Sequence, residues 1–232
     1  LYDTLRDLTC GNNSATSIQY RWQELEGIQK KMLNFLENHD EQRIASEFFA
    51  GNPFKAIPAM IVSACMNTNP VMVYFGQELG EPGMDEEGFS GRDGRTTIFD
   101  YWCIDTIRRW RNGGKFDGEA LTKDEKKLQS FYTTLLNLCN SEKAIAEGEF
   151  YDLTYANLEG CSFNEHRQYA FLRKSGDETL LIVVNFDGHT TEAGIHIPTH
   201  AFEFLNIPIK EQYDSVDLLT GNAETIELSA DG

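Results

Sequence analysis

The chain has 232 residues, enough for one large domain or two smaller ones. Its hydrophobic fraction of 41% and charged fraction of 25% are ordinary for a globular protein, and its formal net charge is −17. This acidic balance argues against nucleic acid and anionic membranes as partners, because both require a concentrated basic face. No stretch approaches the roughly 18 consecutive apolar residues of a membrane span.

The first 147 residues alternate between helix-like and strand-like patterns. Apolar residues recurring every three to four positions predict helices over 14–31, 41–67, 96–112 and 122–144, the second interrupted near Gly51-Asn52-Pro53. In the last of these, Thr122 is the expected N-cap and Glu125 follows three residues later. The apolar runs 31–40 and 70–81 have the length of buried parallel strands, and 1–5 is a third candidate strand.

After residue 147 the pattern changes to short β-rich runs separated by Gly, Asp and Asn turns. Strands are predicted over 149–158, 168–176, 179–188, 191–197, 202–207 and 224–232. A Ser-Gly-Asp turn joins the second and third of these runs as a hairpin. We therefore expect an α/β part over 1–147 and an all-β antiparallel sandwich over 148–232.

The first predicted internal strand ends in three adjacent polar residues, Asn38, His39 and Asp40. Chemistry in parallel α/β folds is concentrated at the carboxyl ends of strands, where a carboxylate stabilises positive charge and a His donates a hydrogen bond. The alternative is a helix N-cap, with Asn38 or Asp40 accepting from free N–H groups of a helix over 43–49. The pattern alone favours the cap, because caps are far commoner than active sites.

The second strand also ends in an acid, in the sequence Gly76-Gln77-Glu78. Two carboxylates at the same edge of the predicted sheet are the minimum set of catalytic groups for glycoside hydrolysis. A purely structural role for Glu78 as a hydrogen-bond acceptor is the alternative.

These segments together carry a family resemblance. FLENHD, residues 35–40, resembles the fourth signature region of the alpha-amylase superfamily of retaining glycoside hydrolases, which ends the seventh strand of a (β/α)8 barrel. PVMVYFGQELGE, residues 70–81, is similar to the eighth strand of that family. AEGEFYDL, residues 146–153, resembles the entry into the family's C-terminal β-sandwich, and 169–188 and 217–221 resemble the sandwich itself. The matching segments cover nearly the whole chain in the family's order.

The resemblance implies a role for each residue of the Asn-His-Asp tip, residues 38–40. Asp40 matches the family's third catalytic carboxylate, which stabilises the oxocarbenium-like transition state. His39 matches a histidine that hydrogen-bonds the sugar, and Asn38 supports the same loop. Arg43 matches no family motif and is left as a subsite or structural residue, as is Glu78. The residues suggest no metal site, and the five cysteines form no C-x-x-C pair, so we expect buried thiols.

The resemblance also implies what lies outside this sequence. The family's nucleophilic Asp and acid/base Glu sit on earlier strands, and no Gly-Phe-Arg-x-Asp pattern occurs here. The chain opens on Leu1 in mid-pattern, so we expect about the sixth to eighth βα units of a barrel, completed by an N-terminal part of the same protein. That part is also the expected place for any calcium. The chain alone should be inactive.

The expected function is therefore that of an alpha-amylase-type enzyme acting on α-1,4-glucans such as starch and maltodextrin with retention. Two alternatives stay open: a non-catalytic sugar-binding or partner-binding scaffold, and an α-glucan transglycosylase. Neither the charge nor the cysteines decide between secreted, periplasmic and cytoplasmic locations.

Overall fold

The computed structural model describes residues 1–84, 92–96, 104–158 and 162–229. In chain order its helices and strands are α1 (Tyr2–Thr9), α2 (Thr16–Glu24), β1 (Asn34–Phe35), α3 (Ile57–Cys65), β2 (Val71–Met72), α4 (Asp105–Arg111), α5 (Lys123–Ser141), α6 (Lys143–Ala146), β3 (Glu149–Asp152), β4 (Gln168–Ser175), β5 (Glu178–Asn185), α7 (Thr199–Leu205), β6 (Gln212–Val216) and β7 (Ala223–Glu227). Short 3-10 turns at Gln29–Lys31, Pro53–Ala56, Gln77–Leu79, Asn112–Gly114 and Thr154–Ala156 link some of them.

Strands β1 and β2 form a short parallel pair, with Asn34 opposite Val71 and Phe35 opposite Met72. The third candidate strand, over 1–5, was a wrong prediction. Residues 2–9 form helix α1, because Leu5 and Leu8 lie one turn apart and are both fully buried. The parallel pair of the first half is followed by antiparallel strands in the second half, which is not all-β, because it also contains helix α7.

The helix predicted over 41–67 begins later than the periodicity indicates. Residues 41–50 form successive turns, and the helical conformation starts only at Pro53 and Ile57. Two backbone N–H groups of this segment donate to acceptors outside it. The N–H of Arg43 donates to the carbonyl of Gly94 at 2.6 Å, and the N–H of Ile44 donates to the Glu37 carboxylate at 2.7 Å.

Helix α5 begins at the predicted cap. The Thr122 hydroxyl accepts from the N–H of Glu125 at 3.2 Å, and the Glu125 carboxylate accepts from the N–H of Thr122 at 2.7 Å. This reciprocal capping box confirms the prediction. Of the helix predicted over 96–112, the structure shows α4 over Asp105–Arg111, and residues 97–103 lie outside the described part.

In the second half, β3, β4 and β5 form an antiparallel sheet in that order, and β6 pairs with β7. The predicted hairpin is confirmed: β4 ends at Ser175, β5 begins at Glu178, and Gly176 takes a φ of +54° that favours glycine. The strand predicted over 202–207 was wrong, because that segment lies largely in helix α7, which buries Ala201, Phe202 and Leu205. The strand predicted over 191–197 is also absent.

The main hydrophobic core joins both halves of the chain. It includes Leu5 of α1, Met60 of α3 and Leu128 of α5, together with Tyr169 and Phe171 of β4. A smaller core beneath α7 contains Tyr151, Leu153 and Leu172. The boundary between residues 147 and 148 stays a prediction.

Arg173 ties the β4 strand to two helix ends. It is almost fully buried, and its guanidinium donates to the carbonyls of Met66, Ala144 and Ile145 at 2.8 to 2.9 Å. Met66 is the C-cap of α3, and the other two residues belong to α6. Helix ends leave carbonyls without partners inside the helix, and Arg173 supplies donors to them.

Two further features concern the membrane and the cysteines. Within the described residues, no helix has the length and apolar character needed to cross a bilayer. Cys10, Cys65 and Cys139 are free thiols, of which Cys65 is buried. Cys103 and Cys161 lie outside the described residues.

Candidate active site

The Asn-His-Asp tip lies at the carboxyl edge of the parallel strand pair. Asn34 and Phe35 of β1 pair with Val71 and Met72 of β2, so both strands run toward the same edge. Residues 38–40 follow β1, and the turn at Gln77–Leu79 follows β2. The structure therefore places the two sequence-predicted acidic segments after neighbouring strands, where parallel sheets carry their sites.

Asn38 organises the backbone of the tip. Its side-chain oxygen accepts from the N–H of Asp40 at 2.8 Å and from the N–H of Glu41 at 2.9 Å. This is the bonding of a cap, as the alternative interpretation expected, but no helix follows, because residues 41–50 form turns. Asn38 instead fixes a tight loop by an Asx-type turn.

His39 and Asp40 project into open space. The His39 side chain is 51% exposed and that of Asp40 is 69% exposed, and His39 Nε2 lies 3.3 Å from an Asp40 carboxylate oxygen. A carboxylate and an imidazole presented side by side form a charge and hydrogen-bond donor pair suited to a hydroxyl-rich ligand. The His39 ring and the Asp40 carboxylate are available to a ligand, because the hydrogen bonds that hold the loop use the Asn38 side chain and backbone N–H groups.

Arg43 lies beneath the tip rather than on its surface. Its side chain is fully buried and donates to the Glu37 carboxylate at 2.7 Å, to the carbonyl of Phe75 at 2.6 Å and to the Thr96 hydroxyl at 2.9 Å. Its guanidinium also lies 4.4 Å from the ring centroid of Tyr74. All of these contacts are structural, so of the two roles left open for Arg43 the geometry favours the structural one.

Glu37 is the residue that sequence reasoning missed. It is 1% exposed, and its second carboxylate oxygen accepts from the N–H of Ile44 at 2.7 Å. Burial raises the pKa of Glu37, while the charge of Arg43 and the Ile44 N–H oppose that rise. The available signal was an acid at the end of an apolar strand with an Arg six residues later, since a charge in such a place needs a partner.

Glu78, the acid that follows β2, is only partly accessible to solvent. It lies in the turn Gln77–Leu79, and burial raises its pKa against backbone hydrogen bonds and the charge of Arg43. Its neighbour Gln77 is buried and donates to the Tyr132 hydroxyl at 2.9 Å. A further buried acid, Glu81, accepts from the Gly83 N–H and the Thr106 hydroxyl. These contacts anchor the end of β2 to helices α4 and α5.

No protein-family model matches the chain. A cyclomaltodextrinase from a Bacillus species is 27% identical over 169 residues, which are 71% of this chain and 24% of that protein. Among solved structures, the maltogenic alpha-amylase AmyB from Thermotoga neapolitana aligns with 98% of this chain and 44% of its own, with a TM-score of 0.64 and 17% identity. The chain is similar in sequence to one enzyme of the alpha-amylase superfamily and similar in fold to others.

Other superfamily structures align over a similar extent. An AmyP variant in complex with maltotriose matches 99% of this chain and 45% of its own, with a TM-score of 0.62 and 17% identity. The gamma-CGTase from alkalophilic Bacillus clarkii matches 100% of this chain and 28% of its own, with a TM-score of 0.59 and 15% identity. At these identities the structures show the fold alone. The chain spans a quarter to under half the length of the proteins it matches.

Helix α1 supports the candidate site from the side. The Tyr2 hydroxyl donates to the Glu41 carboxylate at 2.9 Å, and the Tyr2 ring stacks on Phe35 with centroids 5.1 Å apart. Arg6 donates to the Gln42 side chain at 2.9 Å. Within the described ranges, no group of three or more His, Cys, Asp or Glu residues is placed to hold a metal ion.

Proposed function

We propose that this chain is the C-terminal part of an alpha-amylase-type glycoside hydrolase that acts on α-1,4-glucans with retention. The observation that carries the proposal is the exposed Asp40 carboxylate, presented beside His39 at the carboxyl edge of a parallel strand pair. The Asn-His-Asp sequence at that edge is the one that resembles the superfamily's fourth signature region.

The substrate class is inferred from relatives. The sequence relative is named a cyclomaltodextrinase, and structural relatives include a maltogenic alpha-amylase and an AmyP variant in complex with maltotriose. All three names refer to α-glucans or their products. A net charge of −17 is compatible with such a neutral ligand.

In the proposed mechanism, Asp40 stabilises the positive charge that develops on the sugar ring in the transition state. His39 hydrogen-bonds a sugar hydroxyl in the same subsite, and such contacts strengthen as the ring distorts. The nucleophile and the general acid/base come from an N-terminal part of the same protein. The chain by itself therefore does not turn over substrate.

The architecture that fits this function is the last part of a (β/α)8 barrel over 1–147, followed by a β-sandwich over 148–232. Strands β1 and β2 supply two neighbouring barrel strands. Large apolar side chains near them are exposed, among them Met32, Leu33, Phe48 and Phe75. The N-terminal part of the barrel would cover such surface, since contiguous exposed apolar patches mark interfaces.

The test is to incubate the complete protein with maltoheptaose and to follow the anomeric form of the first products by NMR. A retaining hydrolase yields α-anomers initially, and the chain 1–232 alone yields none. Longer or cyclic products would replace this proposal with a transglycosylase. Maltotriose binding without any turnover would replace it with a sugar-binding scaffold.

A further inference from the structure

We propose that Glu37 and Arg43 are positioning residues that hold the Asp40 carboxylate in place for catalysis; this inference rests on the proposed function. Neither side chain touches the ligand-facing surface, since both are at most 1% exposed. They act through the backbone of the loop that joins them.

The first step of the argument is the closure of that loop. One oxygen of Glu37 accepts from Arg43 Nη1 at 2.7 Å, and the other accepts from the Ile44 N–H at 2.7 Å. Both ends of the segment 37–44 are thus joined through one carboxylate. Asn38 orders the interior through its bonds to the N–H groups of Asp40 and Glu41. The loop has few conformations left, and its exposed tip carries Asp40.

The second step is the anchoring of the loop to the neighbouring strand. Arg43 Nη2 donates to the carbonyl of Phe75, three residues beyond β2, at 2.6 Å. Its Nε donates to Thr96, and its guanidinium faces the Tyr74 ring. Only a planar fork with several donors reaches all of these partners at once, so a lysine would not reproduce them.

The third step is the shape of the space around Arg43. Gly83 has a φ of +58°, and a Cβ there would lie 3.0 Å from Arg43 Cγ and 2.9 Å from the carbonyl carbon of Gly94. The Arg43 N–H in turn donates to the Gly94 carbonyl. The Gly83 backbone therefore packs closely against this side chain, and the Gly94 backbone holds the Arg43 main chain.

The charges of the buried Glu37–Arg43 pair indicate that it contributes more than packing. A buried ion pair contributes little net stability over well-packed apolar residues, because both charges lose their hydration. What the pair adds beyond packing is directional bonding, which fixes the positions of the two loop ends relative to each other. Catalytic groups need such placement, since a misplacement of about 1 Å costs on the order of 100-fold in rate.

The test compares kcat, KM and melting temperature in the complete protein for Arg43→Lys and for the double variant Glu37→Leu/Arg43→Met. The double variant replaces the ion pair with apolar side chains of similar length, which restores packing but not the directional bonds. We expect both variants to lower kcat roughly 10- to 100-fold with a much smaller change in KM. The double variant should melt above Arg43→Met, because it leaves no buried charge unpaired, and below the wild type, because the Ile44 N–H and the Phe75 carbonyl lose their partners.

The matched control is Arg109→Lys, which alters another Arg–Glu pair, Arg109–Glu125 at 2.5 Å, at the start of α5. It should leave kcat unchanged. The inference is overturned if the double variant regains both melting temperature and kcat, because the pair would then be structural only. If the double variant fails to fold, a wild-type kcat in Arg43→Lys overturns it. A wild-type protein without turnover removes the proposed function itself.

Discussion

The carboxylate of Glu37 and the guanidinium of Arg43 form a fully buried ion pair at 2.7 Å, and the exposed Asn-His-Asp tip lies between them in the sequence. The buried pair and the exposed tip therefore belong to one loop. The residues that hold the loop are separate from those that meet a ligand. Stability and activity can accordingly be tested with different substitutions.

Removing one partner of the buried pair should destabilise the chain strongly. In Arg43→Met, Glu37 stays buried without its counter-ion, and we expect the free energy of unfolding to fall by about 3–5 kcal/mol. Urea-induced unfolding measures this. Arg21→Met is the matched control, because Arg21 pairs with Glu24 at a similar 2.6 Å but in solvent, and should cost at most about 1 kcal/mol. Equal costs at both positions would contradict the account.

Arg173 should be as important for stability as Arg43, for a different reason. Arg173→Met leaves the carbonyls of Met66, Ala144 and Ile145 without donors, and we expect a loss of about 3–5 kcal/mol. Burial lowers the pKa of Arg173 to about 10, so it remains charged at neutral pH. Lys174→Met, the next residue in β4, should change the free energy of unfolding by less than about 1 kcal/mol. A comparable loss there would rule out the carbonyl contacts as the cause.

The capping box of α5 permits a smaller, well-defined prediction. Thr122→Ala removes the acceptor for the Glu125 N–H and should cost about 1 kcal/mol in urea unfolding. Thr133→Ala removes a hydroxyl from an exposed position inside the same helix, where it bonds the Gln129 carbonyl. That control should stay within about 0.5 kcal/mol of the wild type. A larger effect at Thr133 than at Thr122 would refute the cap.

Local signals in the sequence predicted those parts of the fold that local bonds determine. Thr122 and Glu125 predicted a capping box, and the Ser-Gly-Asp turn predicted the β4–β5 hairpin. In both cases the residues that bond to each other are only a few positions apart in the sequence. Strand β6, by contrast, was missed, since Gln212–Val216 carries few apolar residues and pairs through its backbone with β7. The strand predicted over 202–207 failed because Phe202 and Phe204 flank Glu203 as apolar residues do in a strand, whereas the buried face of α7 is formed by Ala201, Phe202 and Leu205.

The candidate site was predicted in its exposed part and missed in its buried part. Asn38, His39 and Asp40 were visible as adjacent polar residues at a strand end. The support that Glu37 and Arg43 give to the loop was not visible in the sequence. The Arg43 partners Phe75 and Thr96 lie 32 and 53 residues away. Only the three-dimensional structure brings such partners together.

Asp152 should give the stability curve a measurable pH dependence. Burial raises its pKa, against hydrogen bonds from the Tyr169 hydroxyl and from Thr154. The folded state thus holds this proton more tightly than the unfolded chain, so the contribution of Asp152 to stability falls as pH rises above about 3.8. Relative to Asp152→Asn, the wild type should lose free energy of unfolding between pH 3 and pH 7.

The opposite sign is expected at Asp217, which serves as the control. Hydrogen bonds from the Thr220 hydroxyl and the Leu219 N–H lower the pKa of Asp217. Relative to Asp217→Asn, the wild type should therefore gain stability as pH rises over the same acid range. The same sign at both positions would show that one of the two environments has been misjudged.

The most direct test of the central claim is the activity of Asp40→Asn in the complete protein. Asp40 is exposed and its carboxylate makes no contact with the core, so the melting temperature should not change. We predict that kcat on maltooligosaccharides falls by at least about 10²–10³-fold, because the neutral amide no longer stabilises the transition-state charge. Asp177→Asn, in the β4–β5 turn, should retain full activity. Near-wild-type turnover by Asp40→Asn would contradict the account.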